Sequence, residues 1–262
     1  MMRKYTLVTG ASKGIGLEMS RRCAALGRNV IMVSLPGEGV GKSSSELAKT
    51  ANVECDFFEC DLSQFKSIDE LYSWVEEKGY LIDFLINNAG FGGTSAFELH
   101  SSEYIKSMLN LNVIASTLLM NKFVPMLQKN KSSNILNVAS MLAGVPTPYK
   151  ALYAASKTYI RNISIALSYE LEASGVGVSV LITGASPTNE IVKDQIKNGA
   201  LAARITAMAP EDIAKISIEK ALSGKRIITT SFKNKLIMNF IASLPYSVLS
   251  KVSINQYLKL NK

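Results

Sequence analysis

Tyr153 and Lys157 lie four residues apart in the stretch Tyr153-Ala154-Ala155-Ser156-Lys157. On a helix this spacing puts both side chains on one face, about 5–6 Å apart at Cβ. A phenol titrates near 10, too high for easy proton exchange at neutral pH. A neighbouring ammonium favours the phenolate and lowers that value. At an effective dielectric near 20, unit charges about 4 Å apart interact by about 4 kcal/mol. That is worth about three pKa units. Such a pair could give a proton to a carbonyl oxygen or take one from a hydroxyl. The spacing alone is commonplace on surface helices, so its meaning depends on what else the chain supplies.

The first such element is a glycine turn. Gly10-Ala11-Ser12-Lys13-Gly14-Ile15-Gly16 stands between the apolar run Tyr5-Thr6-Leu7-Val8 and a helical stretch over residues 17–26. Strand, glycine turn and helix start together make a phosphate cradle, because the helix N-terminus offers N–H groups and positive potential. A second strand-like run, residues 81–87, ends in Asn87-Asn88-Ala89-Gly90. A third, residues 134–140, delivers Ser140 thirteen residues before Tyr153. No histidine stands in these neighbouring motifs, which argues against a serine hydrolase. Asn112 falls inside a helical pattern over residues 103–127, and a buried amide there must be used by something.

The glycine order is T-G-x-x-x-G-x-G, not the G-x-G-x-x-G of the general dinucleotide fingerprint. With N-N-A-G, the serine thirteen residues ahead and Tyr-x-x-x-Lys, the chain resembles the short-chain dehydrogenase/reductase family, in its shorter, single-domain branch. The likeness extends over roughly the first 230 residues. It implies that Tyr153 transfers the proton, that Ser140 orients the carbonyl, and that Asn112 orders a water on the proton path. Lys157 is implied to lower the phenol pKa and to hold the nicotinamide ribose. Gly10, Ser12, Lys13, Gly14, Ile15 and Gly16 are implied to cradle the cofactor, with Asn88, Ala89 and Gly90 against it. Asp61 is implied to face the adenine amino group, with Leu62 near the ring. Thr188 is implied to contact the nicotinamide amide.

Two departures stand out. Thr183-Gly184 replaces the usual Pro-Gly, and Leu35 replaces the arginine that often follows the position of Ser34 in NADP-users. The second strand, residues 29–35, ends without a carboxylate, and Glu38 lies beyond Pro36 and Gly37. Glu38 is therefore not assigned the ribose role that an acid plays for NAD. Lys13 matches a basic position that favours a 2′-phosphate, so NADP(H) is placed ahead of NAD(H). The expected activity is hydride transfer between nicotinamide and a carbonyl or secondary alcohol. The expected substrate is a lipophilic ketone, a 3-oxoacyl thioester or a steroid-like compound. An extended-branch sugar-nucleotide epimerase has different glycine spacing and needs more C-terminal chain. An enoyl reductase has a longer Tyr–Lys spacing. From another class comes a catalytically silent, nucleotide-sensing binding protein.

The frame that must position these groups is a doubly wound α/β domain: a mainly parallel sheet with helices on both faces, Rossmann-type. The 262 residues are 47% hydrophobic, with no linker-like break, and are read as one domain. Cys23, Cys55 and Cys60 form no C-x-x-C pair and His100 is the only histidine, so no metal site is expected. A cytoplasmic location is expected, with no signal peptide in Met1-Met2-Arg3-Lys4. The net charge is +8, yet no nucleic-acid-binding motif is visible and no such partner is expected. The partners expected are a small-molecule substrate and further copies of the chain, as a dimer or tetramer. Residues 189–209 are read as a mobile lid. Residues 231–262 hold five lysines and no Asp or Glu. Leu236, Ile237, Phe240, Ile241 and Leu244 make an apolar face there. Packing on the domain or a subunit is placed ahead of contact with anionic lipid.

Overall fold

The computed structural model describes residues 3–130, 132–188 and 201–260. Seven strands form one sheet: β1 (Lys4–Thr9), β2 (Asn29–Ser34), β3 (Cys55–Glu59), β4 (Leu81–Asn87), β5 (Ser133–Ser140), β6 (Val176–Thr183) and β7 (Ile227–Thr229). Their order is β3-β2-β1-β4-β5-β6-β7, and every pair is parallel. The helices are α1 (Gly14–Ala25), α2 (Val40–Ala51), α3 (Phe65–Glu77), α4 (Ser102–Leu109), α5 (Ser116–Gln128), α6 (Ala151–Glu170), α7 (Leu201–Thr206), α8 (Pro210–Leu222), α9 (Phe232–Ser243) and α10 (Tyr246–Leu260).

Strand side chains alternate between faces with a period of two, and here both faces are apolar. Leu7, Ile31, Leu85 and Ile135 pack on one side with Ile68 and Leu71 of α3 and Phe123 of α5. Their chain neighbours Val8, Met32, Ile86 and Leu136 pack on the other with Met19 of α1 and Ile213 and Ile218 of α8. Continuous apolar runs are what a parallel sheet covered on both faces requires.

The chain winds outward from β1 to β3, then returns to lay β4 on the other side of β1. The strand order reverses between β1 and β4, and ligands of such sheets bind outside the strand C-termini at that reversal. The glycine turn follows β1 and Asn87-Asn88-Ala89-Gly90 closes β4, so both motifs border this crevice.

One difference from the sequence reading concerns the helices. The single helix expected over residues 103–127 is α4 and α5 joined by a π-helical turn, Asn110–Ala115, which contains Asn112. π turns inside helices are frequent at functional sites. The helix of Tyr153 ends at Glu170, followed by a short 3₁₀ turn that closes on Gly175 at φ +77°. The tail is two helices, broken at Pro245. Of the expected lid, residues 189–200 lie outside the described residues.

Candidate active site

The turn after β1 is built by close backbone approach. A Cβ on Gly16 would collide with the Gly10 carbonyl oxygen and lie 2.5 Å from Asn88 Nδ2. Gly14 sits at φ +58°, with Thr188 Cγ2 2.8 Å from where its Cβ would be. Thr188 is thereby brought over the glycine turn. Asn88 Nδ2 donates to the carbonyls of Thr9 (2.9 Å) and Gly10 (3.1 Å), while Thr9 Oγ1 accepts from the N–H groups of Asn88 and Ala89, each at 3.0 Å. These bonds pin the ends of β1 and β4 together. The N-cap of α1 is Lys13, whose side chain makes no cap bond, so the first-turn N–H groups are left to an anion.

The catalytic candidates gather on the β4–β5 side of the crevice. Ser140 stands at the end of β5, beside the phenol of Tyr153. Its oxygen accepts the Leu142 N–H at 3.2 Å, which leaves the hydroxyl proton free to donate. Tyr153 is half-buried as a residue, but its hydroxyl lies deep. Burial pushes the phenol above its ordinary range, and the nearby Ser140 hydroxyl offsets part of that rise. Gly92 lies against the same ring, since a Cβ there would stand 2.8 Å from Tyr153 Cδ2.

Lys157 is buried one helical turn from Tyr153, with its Nζ 5.9 Å from the phenol ring centroid. The sequence reading had Lys157 beside the phenol oxygen, lowering its pKa. Here Nζ instead donates to the Val138 carbonyl at 2.9 Å, and the phenol stays raised by burial. Asn112 is buried in the π turn. Its Nδ2 donates to the Phe91 carbonyl at 2.8 Å and to Ser156 Oγ at 3.2 Å, and its Oδ1 accepts the Phe91 N–H at 3.0 Å. Its amide thus fixes the strand end that carries Gly90. A Cβ on Gly90 would stand 2.9 Å from Asn112 Oδ1 and 3.4 Å from Lys157 Nζ, so the absent side chain opens the crevice onto both groups.

The adenosine-side candidates are placed less uniformly. Ile15 packs against the core under the turn. Ser34 is buried at the end of β2, its Oγ donating to the Leu35 carbonyl at 3.1 Å. Asp61 Oδ1 accepts the Ser63 N–H at 2.9 Å, so it shapes the approach to α3. Leu62 is buried in the core with Ile68. The main correction is Glu38. The sequence reading left it out because Pro36 and Gly37 separate it from β2. In the fold it turns back onto the glycine turn, where it accepts from Lys13 Nζ at 2.6 Å and from Ser12 Oγ at 2.6 Å. Lys13 first, then Ser12, hold its carboxyl below the ordinary range. A carboxylate therefore does stand against the glycine turn. Thr183-Gly184 keeps the one feature the geometry needs: a Cβ on Gly184 would lie 2.5 Å from the Thr206 carbonyl oxygen.

A family model described as short chain dehydrogenase matches residues 4–198. The chain belongs to the short-chain dehydrogenase/reductase family. Among curated proteins it is 31% identical over 182 residues to hydroxysteroid dehydrogenase-like protein 1 of Gallus gallus, covering 68% of this chain and 54% of that one. It is 30% identical over 183 residues to the human protein, named inactive hydroxysteroid dehydrogenase-like protein 1, with the same two coverages. The chain thus spans about half the length of these relatives. Of solved structures, one of a 7beta-hydroxysteroid dehydrogenase superposes with a TM-score of 0.85 at 22% identity, over 95% of this chain and 96% of that one. A metagenomic short-chain oxidoreductase in complex with NADP superposes with a TM-score of 0.73 at 25% identity, over 86% and 95%.

The residues present in this short-chain dehydrogenase/reductase fit a dinucleotide. Backbone approaches that a single Cβ would fill line the glycine turn, the α1 N-terminus is uncapped by side chains, and Gly90 opens onto Lys157. Sequence reasoning missed Glu38, Gly92 and Ser156. Ser156 lay inside the Tyr-x-x-x-Lys motif, and a small polar residue between the two catalytic candidates was the available signal.

Burial lowers the Lys157 pKa from 10.5 to about 8. Its folded value therefore lies below its unfolded value. Below pH 8 both states are protonated and the burial cost is felt in full. Between about 8 and 10.5 the unfolded chain holds the extra proton, so this group's contribution to stability rises with pH. Lys157→Met should exceed wild type in denaturant midpoint at pH 7, and the gap should narrow by pH 10. A gap independent of pH would contradict the buried ammonium.

Proposed function

We propose that the protein is an NAD(P)-dependent oxidoreductase that moves a hydride between nicotinamide and a carbonyl carbon or secondary alcohol. The observation that carries this reading is Ser140 at the end of β5 beside the Tyr153 phenol, with buried Lys157 one turn further along α6 and Gly90 opening onto it. The bound dinucleotide supplies or accepts the hydride. Ser140 holds the substrate oxygen next to the phenol, and Tyr153 gives that oxygen its proton in reduction or takes it in oxidation. A phenol kept above its ordinary range is protonated at neutral pH, the form that donates. Lys157 would hold the nicotinamide ribose, and Asn112 fixes the segment that carries Gly90 and Phe91. Lipophilic ketones, 3-oxoacyl thioesters and steroid-like alcohols are the proposed substrate classes. The hydroxysteroid names of the relatives support that choice. Free Cys23, Cys55 and Cys60 suit a reducing, cytoplasmic setting, and a homo-oligomer is part of the same reading. Turnover on a panel of ketones and alcohols with each cofactor tests the proposal. A second reading, a silent dinucleotide-binding protein, is favoured by the inactive designation of the human relative.

NADP(H) is the proposed preferred cofactor. Lys13 supplies an ammonium for a 2′-phosphate, and Ser34 stands at the end of β2. Glu38 competes for that ammonium. The Lys13 side chain is 69% exposed, and such surface ion pairs contribute only about 0–1 kcal/mol, so a phosphate can displace the carboxylate. A charge-assisted bond is worth about 1.5–3 kcal/mol, and the competing carboxylate should cut the preference to roughly tenfold. Glu38→Gln should raise the NADPH-over-NADH affinity ratio several-fold, and Lys13→Ala should erase it. Titration of both cofactors against the three proteins checks this. Tighter binding of NADH by wild type would mean that Glu38 serves the ribose hydroxyls.

A further inference from the structure

We propose that the C-terminal helix pair α9–α10 docks in the headgroup boundary of an anionic lipid bilayer. The inference is independent of the reaction. Helix α9 is apolar on two opposite faces. One face is held by the domain: Met238 packs against Ala139, Ile160, Val180 and Ile182, and buried Asn234 donates to Thr230 Oγ1 at 2.8 Å and to the Thr206 carbonyl at 3.3 Å. The other face carries Phe232, Leu236 and Phe240, one turn apart and 75%, 53% and 64% exposed. An apolar helix face is normally covered, and here the fold covers one of the two. On α10, Val248 and Val252 are exposed in the same way, while Tyr257 stacks on Tyr149 with ring centroids 3.5 Å apart and planes 6° from parallel.

Charge identifies what covers the second face. Residues 231–262 carry five lysines and no Asp or Glu. Lys233 and Lys235 are exposed on either flank of the Phe232–Leu236 stripe, roughly 60–100° round the helix from its residues, and Lys251 is exposed beside Val252. A second copy seated by two-fold symmetry would set these lysines against the same lysines, with no carboxylate in the segment to offset them. An anionic bilayer complements both features. The apolar stripe enters the acyl boundary, and the lysine stems lie along it with their ammonium groups at the lipid phosphates.

Neither helix crosses the bilayer. Twelve and fifteen residues span about 18 and 22 Å, against a hydrocarbon core of about 30 Å. The two segments are bent by 113° at the break, although together they are long and apolar enough for a span. They therefore lie in the surface. Tyr149 precedes Tyr153 by four residues, so the Tyr149–Tyr257 stack ties α10 to the segment just before α6, the helix that carries Tyr153.

Flotation of the full chain with phosphatidylcholine vesicles, with and without phosphatidylserine, tests the proposal. Binding is expected on the anionic vesicles and should fall with added salt. Each buried Phe or Leu is worth roughly tenfold or more in partitioning, and each surface lysine roughly fivefold. The variant Phe232→Ser/Leu236→Ser/Phe240→Ser should lose binding at least a hundredfold with little change in melting temperature, because these side chains are more than half exposed. Lys233→Ala/Lys235→Ala/Lys251→Ala, which leaves the apolar face intact, should lose about a hundredfold and with it the salt dependence. No binding to anionic vesicles, equal binding to neutral ones, or a dimer that the serine variant converts to monomer would each overturn the proposal.

Discussion

Tyr153→Phe should lower turnover by about a hundredfold to ten-thousandfold, the range that a positioned general acid supplies. Dinucleotide affinity should stay within about threefold of wild type, since the lost energy would be far below the 1.4 kcal/mol of a tenfold change. The change removes one oxygen and keeps the ring that packs against Gly92, so the α6 face retains its shape. Ser140 loses a neighbouring hydroxyl, but its oxygen keeps the Leu142 N–H. Turnover and cofactor binding measured on the same preparation separate the effects. Near-normal turnover would remove Tyr153 from the proton path.

Gly16→Ala should be the most damaging single-carbon change at the cofactor end. The new methyl would overlap the Gly10 carbonyl oxygen and press on Asn88 Nδ2, the amide that ties β1 to β4. Overpacking of this kind costs about 1–3 kcal/mol in stability. Opening the turn also misaligns N–H groups aimed at the pyrophosphate, each worth about 1.5–3 kcal/mol as a charge-assisted bond. Affinity for either dinucleotide should therefore fall about ten- to a hundredfold per bond lost. Calorimetric melting and a cofactor titration read the two losses separately. Unchanged affinity in a protein with wild-type melting would show that the turn is not the cradle.

What could be read from sequence was what local chemistry encodes. Gly10, Gly14 and Gly16 sit between a strand and a helix whose patterns are plain, and the fold needs each glycine for a contact within or beside that turn. The apolar runs of β1, β2, β4 and β5 signal a sheet covered on both faces, and the alternation of Leu7 with Val8 shows why no polar face interrupts them. Asn87 closes β4 within the N-N-A-G motif, and its Nδ2 donates to Asn137 Oδ1 of β5 at 2.8 Å. What escaped were contacts made by chain reversal. Glu38 meets Lys13 from 25 residues away because Pro36 and Gly37 turn the chain back after β2. Tyr257 meets Tyr149 across more than a hundred residues. The π turn around Asn112 has no periodic signature, because one inserted residue shifts the register without breaking the apolar pattern. The Lys157 ammonium was assigned to the phenol on helical spacing, which fixes the shared face but not the competing Val138 carbonyl.

The reading of Ser140, Tyr153 and Lys157 as hydride-transfer machinery is tested most directly by wild-type turnover. The measurement follows NADPH and NADH consumption on lipophilic ketones and 3-oxoacyl thioesters, with Tyr153→Phe run in parallel. The expected result is consumption of NADPH with at least one carbonyl class, and its loss in Tyr153→Phe. A wild-type protein that binds the dinucleotide and consumes none of it on any carbonyl would contradict the account and leave a silent nucleotide-binding protein in its place.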